Sequence, residues 1–244
     1  MTRQLCRLCV ALYVLVAMAG YANAVESVHL FTEHYPPFNM QDEETVRGTN
    51  TDLLNTAFTE LGIEVTHRVV PWARAQANAR IIDNACFYSA VRTAEREPLY
   101  LWAGPLSREY ITLFALKNRP INLDSVADAA NWRVGGQLGD AYVQWLLDRG
   151  IEVDTLGGST SSIEKLIYDR LDLWVAGSIG GPMMAMERNV ELHAAFQSDE
   201  GSELWLACHP DIPSDLIDQL NELIARYHAD GTSQRILERY IQAP

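Results

Sequence analysis

Short β-prone runs alternate with amphipathic helices twice along this chain, and no low-complexity or Pro/Gly-rich linker separates the two rounds. Strands that each feed a helix build a mainly parallel sheet covered by helices. In the first round, His29–Thr32 reads as a strand, and Asn50 or Thr51 caps a helix carrying Leu53, Leu54, Ala57, Phe58 and Leu61, stopped at Gly62. Glu64–Val70 is a strand, Trp72–Ile82 a helix and Ala85–Ala90 a buried strand. The second round runs through strands at Tyr110–Lys117 and Trp132–Gln137, then a helix capped by Asp140 and ended by Gly150. Ser161 and Glu164 read as a capping box, followed by the strands Leu171–Ala176 and Leu204–His209. Two amphipathic helices close the chain, one capped by Ser214 and stopped at Gly231, the other opening at Thr232. Without a tether, two lobes built this way must be joined by strand-like crossings.

The amino end reads as an export signal. Arg3 and Arg7 precede an eleven-residue apolar run, Val10–Gly20, and Ala22-Asn23-Ala24 is a small-residue cleavage site. A membrane span needs roughly 20 apolar residues, so this run is too short. Cleavage after residue 24 leaves 220 residues and, with two arginines gone, moves the formal charge from −13 to −15. An acidic surface without a basic, aromatic-interleaved stripe excludes nucleic acid as a partner. Cys6 and Cys9 leave with the signal. Cys86 and Cys208 remain, and in an oxidising compartment either a disulfide or two buried thiols fits their apolar surroundings.

The six histidines show no metal-ligand spacing, and neither a G-x-S-x-G elbow nor a P-loop is present, so the expectation is no metal, no cofactor and no catalytic constellation. Gly135, Gly136 and Gly139 lack dinucleotide-site spacing and read as a strand-to-helix turn. What remains is a recognition toolkit. Tyr35-Pro36-Pro37-Phe38 holds two aromatics on a rigid turn beyond the first strand, where α/β sheets place ligands; a packed turn is the plainer alternative. Ser89–Arg96 follows the third strand and offers hydroxyls, backbone N–H groups and guanidinium, a set suited to a carboxylate. The plainer alternative there is that Arg92 and Arg96 pair with Glu95 or Glu97 at the surface.

In order and spacing, Y-P-P-F at Tyr35, P-W-A-R-A at Pro71, S-A-V-R-T-A-E-R-E at Ser89, W-A-G-P-L at Trp102, V-G-G-Q-L-G-D at Val134 and D-R-L-D-L-W-V at Asp169 resemble the periplasmic solute-binding proteins of the polar amino-acid type, solute-binding family 3. The resemblance covers nearly all of the chain beyond residue 24. It implies a two-lobed α/β fold of the type II periplasmic-binding kind, each lobe a mixed, mainly parallel sheet flanked by helices. Residues 25–109 and 203–244 would form lobe 1, and 110–202 lobe 2. By the same resemblance Arg96 would clamp a ligand carboxylate, Tyr35 would stack on the ligand, and Trp72, Ser89, Ala90, Val91, Asp140 and Gly177 would line the pocket. The chain departs from the family pattern at three places. The acid that usually holds the ligand's ammonium falls on Gly177 or Ser178, a hydroxyl position falls on Val91, and an acid near the first turn falls on Thr32. Either Asp140 replaces the ammonium partner or the ligand carries no ammonium, and a basic amino acid is disfavoured.

The resemblance implies a monomeric periplasmic receptor that captures a small polar, carboxylate-bearing solute for an ABC importer. A ligand-sensing adaptor for a membrane signalling protein is the first alternative. A dehydratase-like enzyme, with Asp140 or Glu33 as general acid or base, is the second.

Overall fold

The computed structural model describes residues 27–241, so the export segment lies outside the described residues. The elements run β1 (Ser27–Thr32), β2 (Met40–Asp42), β3 (Thr45–Arg47), α1 (Thr49–Glu60), β4 (Glu64–Val69), α2 (Trp72–Ile81), β5 (Ala85–Val91) and β6 (Leu101–Leu116). After these come β7 (Val134–Gln137), α3 (Ala141–Leu147), β8 (Val153–Leu156), α4 (Ser159–Ile167), β9 (Leu173–Gly177), α5 (Gly180–Met186), β10 (Leu192–Cys208), α6 (Ser214–Ala229) and α7 (Thr232–Ile241). Eight strands hydrogen-bond in the order β4-β1-β5-β10-β6-β9-β7-β8. The outer triplets β4-β1-β5 and β9-β7-β8 are each parallel, while β10 and β6 run antiparallel between them.

This is the expected two-lobed α/β fold, and four buried clusters fill it. Against one face of the first triplet, Val28, Leu30, Leu54 and Phe58 pack with Leu220 and Ile224 of α6. On its other face Trp72, Ala75, Phe87, Tyr100 and Trp102 form an aromatic cluster, with the Phe87 ring 5.3 Å from Trp72 and 4.9 Å from Tyr100. The second triplet repeats the arrangement, with Leu113, Val143 and Leu146 on one side and Phe114, Ile163, Leu166 and Trp174 on the other. Each fully buried large side chain contributes about 1.5–3 kcal/mol relative to exposure.

The strands expected at Tyr110–Lys117 and Leu204–His209 are the ends of much longer ones, of 16 and 17 residues. Gly104-Pro105 and Gly201-Ser202 hide that continuity in the sequence, because Pro cannot donate to a ladder and Gly packs nothing. The register of β10 accordingly shifts at three places along β6. Several helix starts also differ from expectation. Gly48, rather than Asn50 or Thr51, precedes α1, and its first N–H groups donate to the carbonyls of the Tyr35–Phe38 turn, Thr49 to Pro37 at 2.8 Å and Asn50 to Phe38 at 3.0 Å. That frees the Asn50 amide to reach Ser89 and Ser107. The Ser161–Glu164 capping box does not form: the helix cap falls three residues earlier, at Gly158, and Gln137 Oε1 accepts from Ser159 N and Oγ. Pro213, not Ser214, stands before α6, while α7 opens at Thr232 as expected, the Thr232 N–H donating to Asp230 Oδ1 at 2.8 Å. Asp140 does cap α3, its carboxylate accepting from Tyr142 N at 3.0 Å.

Cys86 and Cys208 are cross-strand partners on β5 and β10, both fully buried, and they form a disulfide, which decides between the two readings of the sequence. The bond ties residues 122 apart, so the cross-link removes loop entropy from the unfolded chain. Cys86→Ala/Cys208→Ala should lower unfolding stability by about 2–4 kcal/mol in urea titrations. A reductant should do the same to the unaltered protein; an unchanged midpoint in both would contradict a stabilising bridge.

Candidate functional site

Parallel strands end on one side of their sheet, and the loops beyond those ends converge. Here β1 delivers Glu33 and Tyr35, β5 delivers Ser89 and Val91, β7 delivers Gln137 and Asp140, and β9 delivers Gly177. The crossing strand β6 adds Glu109 between the two groups. The resulting cleft is lined by Glu33, Tyr35, Trp72, Arg96, Glu109 and Asp140, along with Ser89, Val91, Tyr142 and Ser159.

Glu109 sits at its floor, only 1% exposed. The Tyr35 hydroxyl donates to Glu109 Oε1 at 2.6 Å and that of Tyr142 at 3.0 Å, while Ile179 N and Gly180 N donate to Oε2 at 3.3 and 3.2 Å. Burial raises this carboxyl above its ordinary range, and the four donors oppose that rise without cancelling it. Tyr35 is pushed up by burial and by Glu109. Tyr35 also accepts from Gly177 N at 3.2 Å, so this one ring joins the first turn to the end of β9.

Arg96 is 8% exposed and lies inside the cleft, not on the surface. Its Nη1 donates to Val91 O at 2.9 Å and its Nη2 to Gly139 O at 2.7 Å. Trp72 Nε1 and Gln76 Nε2 donate to the same Gly139 carbonyl, at 3.1 and 3.2 Å. Gly139 has φ +75°, a conformation L side chains rarely adopt, and this turns its peptide toward those donors. Arg92, by contrast, is an exposed partner of Glu97, as the plainer reading of that segment has it.

Glu33 receives a 2.6 Å hydrogen bond from Gln137 Nε2 across the cleft. Desolvation raises its carboxyl to about 8, against the Gln137 bond and helped by the Asp140 charge. Asp140 is raised by burial, and the N–H groups of α3 and the Arg96 charge oppose that. Three carboxyls thus face one guanidinium. At the rim His34 Nε2 meets the Glu187 carboxylate at 3.0 Å. The space left among these side chains is about 30 Å³, the share of one water molecule and far below the several hundred Å³ of sites that enclose a small organic ligand. On either side of the Thr93–Arg96 turn open hollows of about 400 and 420 Å³.

Of the residues singled out in the sequence, Tyr35, Trp72, Ser89, Val91, Arg96 and Asp140 come together around this space. Ala90 turns its side chain into the aromatic cluster instead, and Gly177 borders the cleft through its backbone N–H. Ser89, at φ +63°, accepts from Asn50 and donates to Asn39. Thr32 is fully buried. The sequence reading gave no ligand-facing role to Glu109, Tyr142, Gln137 or Ser159, and considered Glu33 only as a catalytic acid. Glu33 carried a signal, since it stands with Tyr35 directly beyond β1. Glu109 carried one only in strand alternation, because its neighbours Arg108 and Tyr110 are exposed.

The described residues contain no helix long and apolar enough to cross a membrane. The chain is 23% identical over 214 residues to the L-cystine-binding protein TcyJ of Escherichia coli K12, covering 86% of this chain and 80% of that protein. Among solved structures, a histidine kinase sensor domain with similarity to periplasmic binding proteins superposes with a TM-score of 0.82 at 16% identity, covering 90% of this chain and 98% of that one. An ancestral arginine-binding protein bound to glutamine superposes with a TM-score of 0.78 at 19% identity, covering 89% and 99%. Residues 28–243 match the sequence model of the bacterial extracellular solute-binding proteins, family 3, and the chain belongs to that family.

Proposed function

We propose that this chain is a monomeric periplasmic receptor that closes around a small, amino-acid-like solute bearing a carboxylate and presents it to an ABC importer. One observation carries the reading: Arg96, Trp72 and Gln76 aim three N–H donors from the first group of loops at a single acceptor on the second, the Gly139 carbonyl. A carbonyl oxygen has two lone pairs, so three donors overfill it. A carboxylate oxygen is the stronger acceptor for that focus and suits a guanidinium best. Residues 25–109 with 203–244, and 110–202, act as the two lobes that meet there. Closure is favoured by contacts available only when the lobes are together, and a ligand that joins them shifts the protein toward that state.

The site supports binding over catalysis, because each polar group in it is held by another protein group rather than poised beside an activated nucleophile. A second reading, a sensor that docks on a membrane signalling protein, uses the same closure and is favoured by the fold match to a kinase sensor domain. Neighbouring genes for a permease or for a kinase separate the two.

Mass spectrometry of small molecules released from natively purified protein should recover a carboxylate-bearing solute unchanged, and calorimetry should then show Arg96→Ala weakening its binding at least tenfold, by about 1.5 kcal/mol or more. Unaltered affinity would remove Arg96 from the site, and a chemically converted solute would favour the enzyme. The Glu33 carboxyl gives a pH test. Its value is about 8 in the closed cleft against 4.5 ordinarily, so the closed form holds an extra proton between those values. Closure should therefore weaken as pH rises from about 4.5 to about 8, by at most about 1.4 kcal/mol per unit, and then level off. Small-angle scattering should show a radius of gyration that grows over this window, and Glu33→Gln should reduce the dependence to the part that Glu109 and Asp140, also raised by burial, contribute.

A further inference from the structure

Gly177 stands where the family pattern places the acid for a ligand's ammonium, and the structure shows what fills that place. A Cβ built on Gly177 would lie 1.9 Å from both Cδ and Oε2 of Glu109 and 2.0 Å from Oε1. A side chain at 177 and the Glu109 carboxyl exclude each other. Gly180 is cut back in the same way, since a Cβ there would lie 2.2 Å from the Tyr35 ring. Both glycines on the second group of loops make room for side chains arriving from elsewhere.

We infer that Glu109, supplied by the crossing strand β6, is the acid that receives the primary ammonium of an α-amino acid in this cleft, in place of a side chain at position 177. The inference rests on the receptor reading above and names the ligand's second charged group. Of the three carboxyls, Asp140 is committed to capping α3 and Glu33 to Gln137. Glu109 differs because two of its four donors are tyrosine hydroxyls, from Tyr35 and Tyr142. A hydroxyl both donates and accepts, so each can rotate to accept from an ammonium while the carboxylate takes a charge-assisted bond. Ile179 N and Gly180 N keep Oε2 oriented meanwhile. One oxygen of Glu109 with two phenol oxygens matches the three N–H donors of a primary ammonium. Arg96 faces the same space and takes the carboxylate, so the pair reads an α-amino acid through both its charges.

The test uses calorimetry at neutral pH with L-cystine, L-glutamine and L-arginine, each beside its amine-free counterpart: dithiodipropionate, glutaramate and guanidinovalerate. The unaltered protein should bind at least one of the amino acids and bind its counterpart at least tenfold more weakly. Glu109→Gln should lose at least tenfold toward that amino acid, about 1.4 kcal/mol, and should no longer distinguish it from the counterpart. Gly177→Ala, which keeps Glu109 but intrudes on its carboxyl, should show the same loss if Glu109→Gln does not fold. Glu109→Ala/Gly177→Asp, which returns the acid to β9, should recover most of the affinity. If Glu109→Gln binds within twofold of the unaltered protein, or if the amine-free counterpart binds equally well, the assignment to Glu109 fails while the receptor reading stands. If the unaltered protein binds none of the six, both fail.

Discussion

Two long antiparallel strands, Leu101–Leu116 and Leu192–Cys208, are the constraint on which everything else in this molecule depends. They pair with each other along most of their length and also form an edge for each parallel triplet. The two halves therefore share one hydrogen-bonded sheet and cannot drift apart as tethered domains do. Twist and bending at the register shifts of β10 are the motions left to them, and such motions open or close a cleft along one line. The same strands place Glu109 at the bottom of that line, where both halves can reach its carboxyl.

Electrostatics in the cleft follow from this geometry. Charges drawn out of water need partners, and a carboxyl buried without them gives up its charge. Glu109 has four donors, drawn from Tyr35 on one side and from Tyr142, Ile179 and Gly180 on the other. Glu33 has one, from Gln137, and its carboxyl is raised to about 8. Burial raises both carboxyls, and the larger number of donors on Glu109 opposes that rise more than the single donor on Glu33 does.

Periodicity made the two rounds of strand and helix legible, and spaced motifs made the first-lobe loops legible, because both depend on neighbours within a few residues. Tyr35 and Arg96 lie a few residues beyond strands and Ser89 near the end of one, and they could be read that way. Glu109 could not, because S-R-E-Y is an ordinary polar stretch until the strand is known to pass between two lobes. The long strands were hidden for a related reason: Gly104-Pro105 and Gly201-Ser202 are breakers locally, and the pairing around them joins residues roughly ninety to a hundred apart. Helix starts failed where a distant group did the capping, as Gln137 does for Ser159. The disulfide likewise needed the β5–β10 register before it could be told from two free thiols.

Selectivity in such a cleft comes from what the closed form already satisfies. With about 30 Å³ to spare, the lobes meet through their own hydrogen bonds: Gly139 serves the donors of Arg96, Trp72 and Gln76, and the tyrosine hydroxyls serve Glu109. A solute that enters must break these, and only the surplus of its own bonds over those it displaces appears as affinity. Replacing a neutral carbonyl by a carboxylate on Arg96 yields such a surplus, because a charged acceptor binds a guanidinium roughly twice as strongly. Setting an ammonium against Glu109 yields another. On the proposed assignments a neutral solute of the same shape would gain neither and would still have to part the lobes, so the cleft would discriminate by charge before fit.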